Sequence, residues 1–443
     1  MVVHVSPDSL DWITGVRVYL TDGQGIGGII KAEPEDFIVE ELSESDTGEE
    51  GNYLILDLEK RDWEMHNLVR VISRILGISR RRINWAGTKD KRAVTKQRIS
   101  IWKIDASEIE RIRLNGVKLN VVGRSQKKIA IGDLYANQFE IIVREVNSTG
   151  KEVENSLIQI QSEIKAHGGV INYFGNQRFG VQRPINHRIG ELLIKGEFED
   201  AAYLLLTATF GREDEEVEEV RRFIYTTGDF KRAVELMPKG LHLERTILHA
   251  LINKPDDYLG AFLTLPKQLY KIFIHAYQSY IFNRIVSARM EEGLGLNEAE
   301  EGDIVCFRNK HGFADVRHWQ VVRSHEVAGI NDLIARGRAF VTAPLIGFET
   351  EIAGGREGEI EHKILESCKI EPEDFRMDEV EALASGGMRR EIKLPVDPSF
   401  EVLGDRMVKF AFVLPKGGYA TIVLREFMKT CDTPGKGFEP LRG

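Results

Sequence analysis

Apolar and polar positions divide the chain into three stretches of different texture. In the first, Tyr53 to Leu58 is a short, mostly apolar run that reads as a strand. Leu68, Val71, Ile72, Ile75 and Leu76 then recur at helical spacing on one face, with Gly77 as a stop. Arg82 to Trp85 looks extended and Arg98 to Trp102 alternates, which leaves Asp90 on a loop between two strand-like segments. A similar order follows. Gln138 to Val146 alternates, Val153, Leu157, Ile160 and Ile164 mark a helix ended by Gly168-Gly169, and Val170 to Phe174 reads as a strand. Two successive strand–helix–strand units suggest ferredoxin-like halves around a cleft.

From Pro184 to Pro395 helical patterns dominate, over Ile189–Leu206, Glu213–Tyr225, Phe230–Leu236 and Leu265–Met290. Within that stretch, 302–341 reads as a short β-rich patch and 349–388 is acidic. Alternation returns at Met407 to Leu414, a turn is expected at Pro415-Lys416-Gly417-Gly418, and Tyr419 to Met428 is open between helix and strand. The late return to strand character implies that the C-terminus rejoins the first sheet and that the helical region is an insertion. The expected fold class is α+β, a mixed and largely antiparallel sheet domain over 1–183 and 396–443 with a mostly helical domain over 184–395.

Composition adds bounds. At 443 residues the chain suits two domains with real cores, and 42% hydrophobic with 29% charged residues is ordinary for a globular protein. Met1 to Val16 lacks the pattern of a signal peptide, and no apolar run approaches membrane-spanning length. Cys306, Cys368 and Cys431 show no spacing for zinc or a disulfide framework, and none of the eleven histidines has ligand spacing. A cytoplasmic, reduced, metal-free chain is expected, with nothing requiring more than a monomer. The net charge of −9 excludes a protein that coats nucleic acid indiscriminately, so any such binding should be confined to a basic groove. Acidic runs such as 33–50, with nine Asp or Glu and no Lys or Arg, fit the remaining surface.

The basic groove has an obvious candidate. From Arg80 to Arg98 the chain holds eight Lys or Arg (Arg80, Arg81, Arg82, Lys89, Lys91, Arg92, Lys96, Arg98) and one acid, Asp90. A lone carboxylate amid cations is expected to be ionised, which suits a nucleophile or base rather than an acid. The loop lacks the glycine spacing and Gly-Lys-Ser/Thr ending of a phosphate-binding loop, and a magnesium-dependent nuclease would need clustered carboxylates. A basic hairpin that grips RNA phosphates, with Asp90 fixing the loop through a salt bridge, explains the same residues.

A second constellation, Asn172-Tyr173-Phe174-Gly175-Asn176-Gln177-Arg178-Phe179-Gly180, looks like poor core-filling material. It suits a site for a flat heterocycle, with a ring to stack on it, an amide for its edge and glycine where backbones approach closely. The helical stretch His275 to Arg284 reads mainly as packing.

Taken together, these motifs resemble the TruD family of tRNA pseudouridine synthases. Gly87, Lys89, Asp90, Lys91, Ala93, Thr95 and Gln97 occupy the fixed places of that family's Gly-x-Lys-Asp-Lys/Arg-x-Ala-x-Thr-x-Gln signature. Asn172 to Gly180 matches its Asn-Tyr-Phe-Gly-x-Gln-Arg-Phe-Gly. Lys31 to Glu41 and Leu414 to Thr421 match further motifs in the family's order, and the long middle region looks like archaeal or eukaryotic relatives. The resemblance implies a pseudouridine-synthase catalytic domain with an inserted TRUD domain. It further implies isomerisation of a uridine in tRNA, typically position 13 in the D arm, to pseudouridine without cofactor or metal. The nucleophile falls on Asp90, attacking C6 of the base or C1′ of the ribose, and the family's cleft amide and aromatic fall on Asn172 and Phe174. Substrate-binding residues are then expected at Lys31, Lys89, Asn172, Phe174, Gln177 and Arg178, and RNA-backbone contacts at Arg80, Arg81, Arg82, Lys91 and Arg92. A tRNA-binding or tRNA-folding protein without catalysis is the competing reading. A metal-dependent RNA hydrolase is disfavoured by the missing carboxylate cluster.

Overall fold

The computed structural model describes residues 4–44, 47–147, 150–377, 380–381 and 383–430. Cys431, and Asp46 of the acidic run, lie outside the described residues. The chain forms two compact units, one over 21–170 and 394–430 and the other over 4–20 and 171–393.

The first unit is built on nine strands: β1 (Gly27–Ile29), β2 (Phe37–Ser43), β3 (Tyr53–Arg61), β4 (Ile83–Trp85), β5 (Val94–Trp102), β6 (Val117–Ser125), β7 (Leu134–Val146), β8 (Ser399–Val402) and β9 (Met407–Pro415). They run in the order β8-β9-β7-β2-β5-β3-β6, with β1 on β7 and β4 on β5. Every pair is antiparallel except β2 with β5, where Val39 lies opposite Thr95. The sheet is mixed and largely antiparallel, the α+β class expected. Strand β9 returns from the far end of the sequence and pairs with β7 along its whole length, Met407 opposite Arg144 through Pro415 opposite Ala136.

Inward positions of β7 do not keep one parity. Leu134 and Ala136 are buried, then Phe139, Ile141 and Val143, then Val146. The register shift against β2 between Leu42 and Ser43 falls at Tyr135, ahead of the first slip, and Glu145, with φ of +57°, lies at the second.

The helix Met65–Leu76 starts on Glu64, whose carboxylate accepts from the amides of His66 and Asn67, and ends at Gly77 with φ of +65°. It buries Met65, Leu68, Val69, Ile72 and Leu76 against Leu54, Leu56, Leu58, Ile99 and Ile101 of the sheet. Val71 and Ile75, expected on this face, are only half-buried, because the arc of best fit runs through Met65 and Val69 instead. The helix Ala420–Met428 settles the open C-terminal segment and lays Phe427 on Phe410 of β9, ring centroids 4.9 Å apart.

The second unit is mostly helical, with a four-stranded antiparallel sheet in the order Ala314–Val321, Ile304–Arg308, Ala339–Leu345, Met388–Glu391. The single helix expected over Ile189–Leu206 is two, Asn186–Ile194 and Phe198–Thr207, broken at Gly196 with φ of +75°. Phe230–Leu236 appears as read, and Lys267–Glu291 and Glu215–Thr227 match within two residues. The expected strand Val170–Phe174 is only Val170–Ile171, because the residues after it turn to meet the long helix, as described below.

Candidate active site

Strands β4 and β5 hold the 86–93 loop between them, and backbone bonds fix its ends. The amide of Gly132 donates to the Ala86 carbonyl at 2.8 Å and Asp62 donates to the Ala93 carbonyl at 3.1 Å. From β5, the Gln97 amide donates to the Gly87 carbonyl at 3.1 Å.

Two lysines reach Asp90, one to its side chain and one to its backbone. The ammonium of Lys31 lies 2.8 Å from Oδ1 of Asp90 and 4.1 Å from the centre of the Phe37 ring. Lys31 itself adopts a left-handed backbone, φ +58°, outside the range an ordinary side chain prefers. The ammonium of Lys60, on β3, donates to the main-chain carbonyl of Asp90 at 2.8 Å. Lys60 is wholly buried, and burial brings its pKa down to about 8, with the charges of Asp90 and Glu64 opposing the fall.

Some of the remaining cations of this segment have other partners. Lys89 pairs with Glu41 at 2.7 Å, both side chains buried, and Arg92 donates to the Ala32 carbonyl. The guanidinium of Arg82 donates to the Trp102 carbonyl at 2.8 Å, whereas Arg80, Arg81 and Lys91 are exposed. Asp36 anchors the segment after Lys31. It accepts from the Glu33 amide at 2.8 Å and from Nε and Nη2 along one edge of the Arg144 guanidinium, at 2.8–2.9 Å. Burial pushes the Asp36 carboxyl up, but the Arg144 and Glu33 hydrogen bonds outweigh it and the net shift is downward.

The second motif lies in the other unit. Asn172 is fully buried: its Nδ2 donates to the Glu391 carbonyl at 2.8 Å and its Oδ1 accepts from Arg390 at 2.6 Å. The Phe174 ring packs edge-on against Phe282, centroids 5.5 Å apart, with the guanidinium of Arg390 4.2 Å and that of Arg178 5.2 Å from its centre. Asn283 clamps the Phe174 backbone, accepting from its amide at 2.8 Å and donating to its carbonyl at 3.1 Å. Gln177 is exposed and Arg178 half-buried.

One expectation fails here. The aromatics of this motif read as poor core material, yet Tyr173, Phe174 and Phe179 are all buried, at 1%, 3% and 0% exposure. Partners from the long helix and from His187 surround them, which no local pattern reveals.

Sequence reasoning also missed Lys60, Glu41, Phe37, Asn283 and Arg390. A signal existed for two of them. Lys60 continues the inward row Leu54, Leu56, Leu58, and Glu41 continues Phe37 and Val39. A charge at an inward parity is a local violation of the strand pattern, and such violations concentrate at functional sites.

The family described as TruD, tRNA pseudouridine synthase D, matches residues 13–427. The chain belongs to the TruD family. It is 47% identical over 421 residues to the "Probable tRNA pseudouridine synthase D" of Methanosarcina acetivorans, covering 94% of this chain and 96% of that one. The relative of the same description in Archaeoglobus fulgidus is 38% identical over 423 residues, covering 94% and 98%. A crystal structure of the TruD protein from Methanosarcina mazei superposes with a TM-score of 0.82 at 47% identity, covering 94% of this chain and 97% of that one.

Proposed function

We propose that this TruD-family chain is a tRNA pseudouridine synthase that isomerises a uridine of tRNA, at position 13, with Asp90 as nucleophile. The observation that carries the assignment is the Lys31–Asp90 contact at 2.8 Å on a loop whose backbone is itself held from beneath by Lys60. The uridine leaves its stack at a cost of a few kcal/mol. The Asp90 carboxylate then adds to the nucleotide, at C6 or C1′, and the N-glycosidic bond breaks. The uracil turns and rejoins the ribose through C5; the bond to Asp90 breaks, C5 loses its proton and N1 gains one, so the enzyme is released unchanged. Lys31 keeps the carboxylate aimed and its charge balanced.

Lys31, Lys89, Asn172, Phe174, Gln177 and Arg178 form the substrate-binding set, Lys89 and Asn172 acting through Glu41 and Arg390, the groups they hold. Arg80, Arg81, Arg82, Lys91 and Arg92 form the RNA-backbone set, Arg80, Arg81 and Lys91 with exposed charges and Arg82 and Arg92 while also donating to main-chain carbonyls. The catalytic domain spans 1–183 and 396–443 and the inserted domain 184–395. The compact units agree with that division over 21–170, 184–393 and 396–430, and differ in grouping 4–20 and 171–183 with the helical region. We place the enzyme in the cytoplasm with tRNA, acting as a monomer.

Pseudouridine mapping on an unmodified tRNA transcript, with wild type and Asp90→Asn, tests this reading. New pseudouridine at position 13 from the wild type alone is the expected result. Appreciable product from Asp90→Asn removes Asp90 from the nucleophile role, and binding without product from either protein leaves a tRNA-binding protein instead.

A further inference from the structure

Most cations around the Asp90 loop are already engaged inside the protein. Lys31 pairs with Asp90 and Lys89 with Glu41, Lys96 lies 3.8 Å from Glu40, and Arg98 lies 3.3 Å from Asp57. Arg82 and Arg92 are spent on backbone carbonyls. Arg80, Arg81 and Lys128 differ. They are exposed, and among the described residues no ion pair or hydrogen bond engages their charged ends.

Lys91 is likewise unengaged among the described residues but lies outside the cleft of about 680 Å³ that these three cations line. One wall is the segment 79–85, and the other is 128–131. The second wall is anchored: Ile129 donates its amide to the Ser100 hydroxyl at 3.0 Å, Ala130 to the Asp133 carboxylate at 2.7 Å, and Gly132 to the Ala86 carbonyl at 2.8 Å. The lining holds no carboxylate. It also offers flat and apolar surface. Trp85 is half-buried with the His66 ring edge-on at 5.4 Å, and Ile131 stands 77% exposed.

A fixed cleft with three unpaired cations, no acid, an indole and an exposed aliphatic side chain matches a nucleotide: phosphate for the cations, base for the ring and the isoleucine. Trp85 precedes Asp90 by five residues, so the chain keeps the two within roughly 18 Å. We propose that this cleft is a subsite for one unpaired nucleotide of the RNA substrate flanking the target uridine. Its phosphates lie at Arg80, Arg81 and Lys128, and its base lies against Trp85 and Ile131. The proposal rests on the reading of the chain as an RNA-modifying enzyme and adds where a neighbouring nucleotide is held.

Two variants separate this from general attraction, Arg81→Ala/Lys128→Ala and Ile131→Glu, all at exposed positions that leave the core intact. Their affinity for the unmodified tRNA transcript is measured across a salt series, beside time courses of pseudouridine formation. In wild type, tRNA carrying 4-thiouridine should crosslink to residues 128–131. The double variant should flatten the slope of log affinity against log salt by about 1.4, the share of two phosphates on a single strand. Ile131→Glu should weaken binding on the order of tenfold, by setting an acid against the base and its phosphate. Unchanged affinity and slope in both variants, with crosslinks elsewhere, overturn the subsite. In that case pseudouridine formation by wild type shows that the assigned activity stands. A wild type without product overturns the activity, while slope and crosslink still decide the cleft.

Discussion

Lys60 sits where a strand's inward row meets the Asp90 loop, and its chemistry follows from that position. Burying an ammonium costs several kcal/mol unless partners repay it. Here the partners are the Asp90 carbonyl at 2.8 Å and the nearby charges of Asp90, Glu64 and Asp62, with Lys89 opposing them. The lysine therefore acts on Asp90 through the backbone and is a positioning residue. Lys60→Met removes a costly buried charge at similar volume, so folding stability should hold or rise while kcat falls at least tenfold with little change in KM. Equal loss of melting temperature and activity would reduce Lys60 to a structural role. The wild type should also lose activity as pH rises through about 8, because deprotonation weakens the charge-assisted bond to the Asp90 carbonyl. That alkaline limb should be absent in Lys60→Met.

At the scale of elements, five of the nine sheet strands were legible, β2 was hidden inside the acidic run read as surface, and the site was only half legible. Period-two alternation shows β5, β7 and β9, a short apolar run shows β3, and Gly77 and Gly168 stop their helices in left-handed conformations as expected. The Asp90 loop was legible for the same reason, being what two recognisable strands leave between them. Lys60 and Glu41 stood in the pattern as charges in apolar rows, but a row shows burial and not which loop the charge meets. The segment after Ile171 was misread because its packing comes from 109 residues away, where Asn283 holds the Phe174 backbone and Phe282 the ring. The same geometry makes Phe174 an element-scale stability determinant besides any part in substrate binding. Phe174→Ala should cost about 3–5 kcal/mol by cavity formation, read from urea unfolding. A loss below about 1 kcal/mol would mean that the ring is not part of the core.

For the whole molecule, net charge and buried ionisable groups pull in different directions. The body carries −9, so RNA attraction depends on the few cations left unengaged by internal carboxylates. Stability against pH depends instead on groups whose protonation changes on burial. His187 lies between Phe179, edge-on at 5.4 Å, and Tyr280, stacked at 4.9 Å. Burial, aided by the charge of Arg188, holds its pKa down to about 3. Unfolded, it titrates near 6.5. Between those values the unfolded chain binds a proton that the folded chain refuses, so this residue makes stability rise with pH. Its contribution is complete above about 6.5 and lost on acidification toward about 3. Glu357 works against it: burial raises its carboxyl to about 7 despite Arg289, so from about 4.5 to 7 the folded chain holds the extra proton and stability falls with pH. The wild-type profile alone therefore mixes opposing slopes, and a variant isolates one. His187→Phe keeps the aromatic packing and removes the titration. The slope of unfolding free energy against pH from 6 to 4 should be lower in His187→Phe than in wild type by close to one proton, roughly 1.4 kcal/mol per pH unit. Parallel profiles would show that His187 accepts its proton in the folded state, and the buried ring stack would then have to open to let it do so.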